Sequence, residues 1–278
     1  MHDLTTGSIS LHLLRSAGFI VISSVLHTLY VAIDLYWVSS LGTSAMAAVG
    51  ISSNLMYIFT TISQALAVAT TTLVSHASGR RDHSQATFLF NQAHALSVAS
   101  GVGFVGAGIV LSGRYASALS PDEATRQATL DYLRWYVPAT GVQFAAVAML
   151  AALRATGYFR QGMLIQSGTV IVNLVLAPFL IFGWGPFPRT GVGGAAIATL
   201  VATASGVVGL SIFLFKRGGH VRFRAADLRP RLEVWGRMLR LGVPAGIESL
   251  LLAIYLITIY AIARPFGAEA QAGFGIGI

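Results

Sequence analysis

The chain has 278 residues, of which 55% are hydrophobic and only 10% charged, and it contains no cysteine. Soluble domains carry about 25% charged residues, so this composition marks an integral membrane protein; the missing thiols exclude disulfides, thiolate chemistry and Cys-based metal sites. The formal net charge is +8, but the basic residues sit mostly between apolar stretches, where they orient a chain in the bilayer, and no nucleic-acid partner is expected.

A helix needs about 20 apolar residues to cross a hydrocarbon core. Seven stretches qualify, near Leu14 to Ser39, Met46 to Ser75, Phe88 to Leu111, Gln127 to Leu153, Met163 to Trp184, Val192 to Phe215 and Leu241 to Ala263, and an eighth begins near Ala268. The first is longer than the apolar core of a signal peptide, about 7 to 15 residues. The runs are unbroken rather than alternating, which argues against barrel strands. With the N-terminus in the cytoplasm, thirteen of the eighteen Lys and Arg residues fall on the cytoplasmic side, eight of them between Lys216 and Arg240. The positive-inside rule therefore predicts a multi-pass protein of the cell inner (plasma) membrane with a cytoplasmic N-terminus. The basic stretch could bind lipid, but a plain topology determinant is the simpler reading.

The last thirteen residues, "FGAEAQAGFGIGI", align without gaps on "LGTSAMAAVGISS", which follows the first stretch. Gly42 pairs with Gly267, Ala45 with Ala270, Ala47 with Ala272, Gly50 with Gly275 and Ile51 with Ile276, and the same offset pairs Arg15 with Arg240. Internal repeats are a common plan in transporters. The expected organisation is all-α: a six-helix N-terminal lobe (1–215), a basic inter-lobe loop (216–240) and the first one or two helices of a second, repeated lobe (241–278). On this reading the chain is a fragment, the second lobe being needed for a complete cavity, and a complete chain has roughly 450 residues by the repeat logic.

Asp34 lies deep in the first apolar stretch, where an acidic residue faces a cavity or a partner and is a functional candidate by default. Helical spacing puts His27, Tyr30, Asp34 and Trp37 on one face. The second stretch carries Asn54, Tyr57, Thr61, Gln64, Thr71 and Ser75 at near-helical steps; such a stripe lines a watery path or hydrogen-bonds neighbouring helices. Gln143, Gln166 and Asn173 are single polar groups in later stretches, and Glu248 follows Pro244, which kinks the seventh or marks its first turn. Pro138 and Pro178 offer hinges or static bends. The glycine run "GVGFVGAG" lies inside an apolar helix and reads as close packing rather than a dinucleotide loop. No Asp-rich pair able to hold magnesium for an intramembrane transferase occurs, and no enzymatic activity is expected.

"VAIDLYWVSSLGTSAMAAVG", "NLVLAPFLIFG", "GVGGAAIATL", "LGVPAGIESLL" and "FGAEAQAGFGIGI" together resemble the MATE (multidrug and toxic compound extrusion) transporters, nearest to the bacterial branch named for a DNA-damage-inducible member. The resemblance implies two six-helix lobes around a cavity that opens alternately to either side, exporting small amphipathic or cationic substrates in exchange for H+ or Na+ without a cofactor. Asp34, Asn173, Thr199 and Glu248 match the family's cation-coupling positions, and Tyr30, Trp37, Asn54, Tyr57, Gln64 and Gln143 are the expected substrate-cavity residues. Where family members often carry an aspartate before the fifth-helix proline, this chain has Ala177, which puts a two-carboxylate site in doubt. Within the same superfamily, a lipid-linked sugar flippase would need cationic cavity residues, and the apolar stretches are nearly free of them, Arg134 being the main exception.

Overall fold

A computed structural model describes residues 28, 32–217 and 221–277, with the side chains of 217, 248, 249, 253, 276 and 277 outside the description. The described part is a bundle of helices: α1 (32–39), α2 (Thr43–Gly79), α3 (His83–Leu119), α4 (Glu123–Ala155), α5 (Phe159–Phe182), α6 (Val192–Arg217), α7 (Leu232–Ala263) and α8 (Gly267–Gly277). Among the described residues, six helical stretches are long and apolar enough to cross a membrane. Large apolar side chains such as Val102, Ile109 and Val110 face outward, the arrangement expected where lipid rather than water surrounds the helices.

Consecutive helices reverse direction through short caps. Asp82 accepts the Gln85 N–H at the start of α3, and Asp122 accepts the Thr125 N–H at the start of α4; each satisfies one of the amide donors that a helix start leaves free. The α1–α2, α3–α4 and α5–α6 connections lie at one end, called here the near end; α2–α3, α4–α5 and α6–α7 lie at the far end. α4, α5 and α7 run on through Pro138, Pro178 and Pro244. The stretch 216–240, expected as a loop, is shorter: α7 already begins at Leu232, because its charges occupy the exposed side of a helix whose Met238 is buried.

Small residues set the close crossings. A Cβ on Gly101 would sit 2.8 Å from the Gly141 carbonyl oxygen and one on Gly108 2.5 Å from the Val137 side chain, so these two glycines of "GVGFVGAG" pack α3 against α4 while Gly103 and Gly106 face open space. Gly242 and Gly246, one turn apart on α7, face the backbone at Ala65 and Thr61 of α2 with no space for a larger residue, a small-xxx-small helix contact. The core fills the far half of the bundle, with Phe90, Phe144, Met149 and Leu153 among its fully buried side chains.

The repeat has a conformational counterpart. Gly42, before α2, has φ 103° and ψ 172°, and its repeat partner Gly267, the first residue of α8, has φ 87° and ψ 174°. That region is open essentially to glycine alone, so both copies use the same residue for the same strained turn. Gly50 and Gly275, another aligned pair, approach one another: a Cβ on Gly275 would lie 3.6 Å from the Gly50 Cα. Contact between equivalent residues is the signature of a twofold axis.

Candidate functional site

The near end of the first lobe closes with an apolar cluster that includes Val38 of α1, Tyr132 of α4, Ala177 of α5 and Ala195 of α6. One helical turn deeper on the same four faces stand Asp34, Tyr136, Asn173 and Thr199. The register thus gathers them at one level beneath the cluster, and Asp34 lies within electrostatic reach of Tyr136. Local packing explains how α6 presents its threonine. A Cβ on Gly194 would lie 2.6 Å from the Leu180 carbonyl, so glycine lets α6 press on α5.

Asn173 is buried and donates from Nδ2 to Thr199 Oγ1 at 3.1 Å, while the threonine hydroxyl donates to the Ala195 carbonyl at 3.0 Å. This fixes the amide, turning Asn173 Oδ1 away from Thr199. Both Asn173 Oδ1 and Asp34 Oδ1 are buried without a hydrogen-bond partner among the described residues. Two acceptor oxygens in an apolar bundle are costly unless something supplies a proton or positive charge. Ala177 is fully buried within the cluster, so α5 adds no second carboxylate there.

A separate cavity of about 210 Å³ opens between α1, α2, α7 and α8. Asn54, Tyr57 and Ser53 of α2 line it, with Leu35, Tyr260 and the glycine pair Gly50 and Gly275. Leu35 and Tyr260 are separated by the repeat offset too, so the cavity straddles the axis.

The other expected residues are dispersed. Trp37 belongs to an aromatic group at the near end, with ring centroids 5.8 Å from Phe182 and 6.2 Å from Trp184, and does not line the cavity. Gln64 is exposed on α2, and Thr61 beside it serves the Gly246 crossing. Gln143 lines a different, water-sized space with Gln166, Thr169 and Thr203. Tyr30 and His27 lie outside the described residues, as does the side chain of Glu248, although α7 runs through its position.

Sequence reasoning missed several polar groups. Tyr260 is buried at the axis, and Gln271 is buried with Nε2 donating to the Leu119 and Tyr260 carbonyls at 2.8 and 3.1 Å. Arg264 donates to the Ser120 carbonyl. These tie α7 and α8 to the α3–α4 turn, and the repeat offset that pairs Tyr260 with Leu35 was the available signal. At the far end, Asn91 and Gln92 of α3 are fully buried and bind the backbone of 222–231. Two adjacent amides inside an apolar helix were visible, but their partners were not.

The MatE family model matches residues 20–179. The chain is similar to an FAD transporter of Shewanella oneidensis, 29% identical over 250 residues that cover 88% of this chain and 54% of that protein. It is also similar to the probable multidrug resistance protein NorM of Thermotoga maritima, at 26% identity over 92% of this chain and 55% of the relative. Among solved structures, the inward-facing conformation of a multidrug resistance MATE family transporter of the MOP superfamily matches with a TM-score of 0.80 and 27% identity, over 89% of this chain and 56% of that one. The chain therefore spans about half the length of the curated relatives it matches.

Proposed function

The chain belongs to the MATE family of membrane transporters, and from that premise we propose that it forms the first lobe, with the opening helices of the second, of an antiporter that exports amphipathic and cationic compounds in exchange for H+ or Na+. The observation that carries this reading is the pair of buried acceptor oxygens, Asp34 Oδ1 and Asn173 Oδ1, without donors among the described residues beneath the near-end cluster. A proton on Asp34, or a sodium ion bound by Asp34 and Asn173, meets that unmet demand. Uptake of the ion changes the cost of burying the layer, and a substrate that prefers the other access state competes with it; exchange needs only this difference in affinity between states. The axis cavity, with Tyr57, Tyr260 and Asn54, is the substrate's entry to the space between lobes. In orientation, the N-terminus and the basic stretch 216–240 face the cytoplasm of the inner membrane, on the positive-inside argument. Glu248 contributes to coupling from the second lobe in this scheme.

The Shewanella relative is named for FAD, and two tyrosines at a cavity with no acidic residue among its described lining suit a flavin ring. Everted vesicles carrying the full-length protein separate these readings. Ethidium and FAD are supplied under an imposed proton or sodium gradient, in wild type and Asp34→Asn. Ethidium transport that follows one gradient and disappears in the variant is the expected result. Undiminished transport in Asp34→Asn removes the carboxylate from the mechanism, and transport of FAD alone changes the substrate class.

A further inference from the structure

The segment from Val221 to Arg231 lies against the far end of the first lobe as a strap. Its backbone is gripped from α3: Asn91 donates to the Arg222 carbonyl at 2.8 Å and accepts from the Arg224 N–H at 3.1 Å. Gln92 donates to the carbonyls of Asp227 and Arg229 at 2.6 and 2.7 Å and accepts from the Arg231 N–H at 2.9 Å. Before the short 3-10 turn Ala225–Leu228, the strap is extended and alternates. Val221 is buried and the Phe223 ring packs 5.0 Å from Phe90 and 5.1 Å from His94, while Arg222 and Arg224 point outward. Arg229 is exposed beyond the turn, and none of these three arginines forms an ion pair among the described residues.

Orienting a chain in the bilayer requires only positive charge near a helix end, in any conformation. Five hydrogen bonds that fix the backbone beneath three outward guanidinium groups exceed that requirement. Guanidinium groups match phosphate in geometry as well as charge, and a held backbone limits where these three can reach. Phe215 and Leu232, at the two ends of the connection, are exposed apolar residues, so the arginines sit where spanning helices leave the hydrocarbon and at the depth of headgroups. A nucleic-acid surface would have no use for those flanking apolar side chains.

We propose that the strap is a docking surface for anionic phospholipid headgroups of the far-end leaflet, with Arg222, Arg224 and Arg229 holding the phosphates and Asn91 and Gln92 holding the arginines in place. The proposal rests on the chain spanning a bilayer and is independent of what it transports or which way it faces.

The test uses the full-length protein in nanodiscs of equal phosphatidylglycerol and phosphatidylcholine, with the lipids retained after mild extraction counted by native mass spectrometry. Each basic residue near an anionic surface is worth several-fold, so wild type should retain phosphatidylglycerol in about tenfold excess and R222Q/R224Q/R229Q should approach parity. Arg114→Gln, an exposed arginine at the near end, should leave the excess unchanged. Asn91→Ala with Gln92→Ala keeps every charge and should still lower the excess by about threefold, through loss of pre-ordering. The lysine triple variant, R222K/R224K/R229K, keeps the charge and the fold and should retain part of the preference. Wild-type excess in the glutamine triple variant overturns the docking surface. Full excess in the Asn91 and Gln92 variant overturns the role of the clamp.

Discussion

The amides of Asn91 and Gln92 at the far end and the oxygens of Asp34 and Asn173 at the near end are both polar sets enclosed by apolar helices, yet they are treated oppositely. At the far end both amide oxygens and both amide nitrogens have partners in the strap or the helix. At the near end two oxygens have no donor among the described residues. A satisfied network stabilises one arrangement, because breaking it leaves buried groups unpaired. An unsatisfied pair gains little from the resting arrangement and responds to whatever ligand completes it. On the proposed function, the difference separates a set of groups that holds one arrangement from a set that answers to a ligand.

Variants at the two places can break or sharpen that contrast. Asp34→Asn should reduce gradient-driven efflux by about 100-fold if the carboxylate couples as proposed, while thermal unfolding stays within about 2 °C because no hydrogen bond formed among the described residues is lost. Gln92→Leu should do the reverse: three strap groups lose their partner, costing about 2 to 3 kcal/mol in chemical denaturation, while initial efflux rates remain within about twofold. Asn173→Ala sits between the two, with efflux down about tenfold and a stability cost of about 1 kcal/mol for the lost bond to Thr199. Thr199→Val should lower efflux only about threefold, since it releases the amide without removing the Asn173 oxygen. Gln64→Ala, exposed on α2, should change stability by less than about 0.5 kcal/mol and leave transport intact. A large transport defect in Gln92→Leu, or a large stability loss in Asp34→Asn, would erase the distinction.

The helices were legible because apolar length is a one-dimensional signal: the expected stretches within the described residues fall inside observed helices, except that the fifth, expected to reach Trp184, ends at Phe182 before the left-handed Gly183. The repeat was legible because glycine at Gly42 and Gly267 answers a backbone demand that no other residue meets. What periodicity could not supply was the identity of neighbours. Trp37 shares a helix face with Asp34, but its ring turns toward Phe182 at the end of α5 and Trp184 just beyond it. Gln64 continues the stripe of Asn54 and Tyr57, yet α7 crosses α2 at Thr61 and Ala65 and the cavity ends before it. Asn91 and Gln92 bond backbone groups more than 130 residues away, and backbone partners leave no trace in side-chain pattern. The start of α7 was hidden because arginines on the exposed side of Leu232–Ala263 read as loop composition.

The meeting of Gly50 with Gly275 also has a historical meaning. Equivalent residues that meet on a twofold axis are the arrangement a homodimer interface also uses. Joining two copies in one chain releases them from identity. The repeat partner of Asp34 is Ile259 and that of Glu248 is Ser23, so each half now holds an acid where the other has none. A symmetric dimer must place the same charge on both sides of its cavity; a fused chain is free of that constraint.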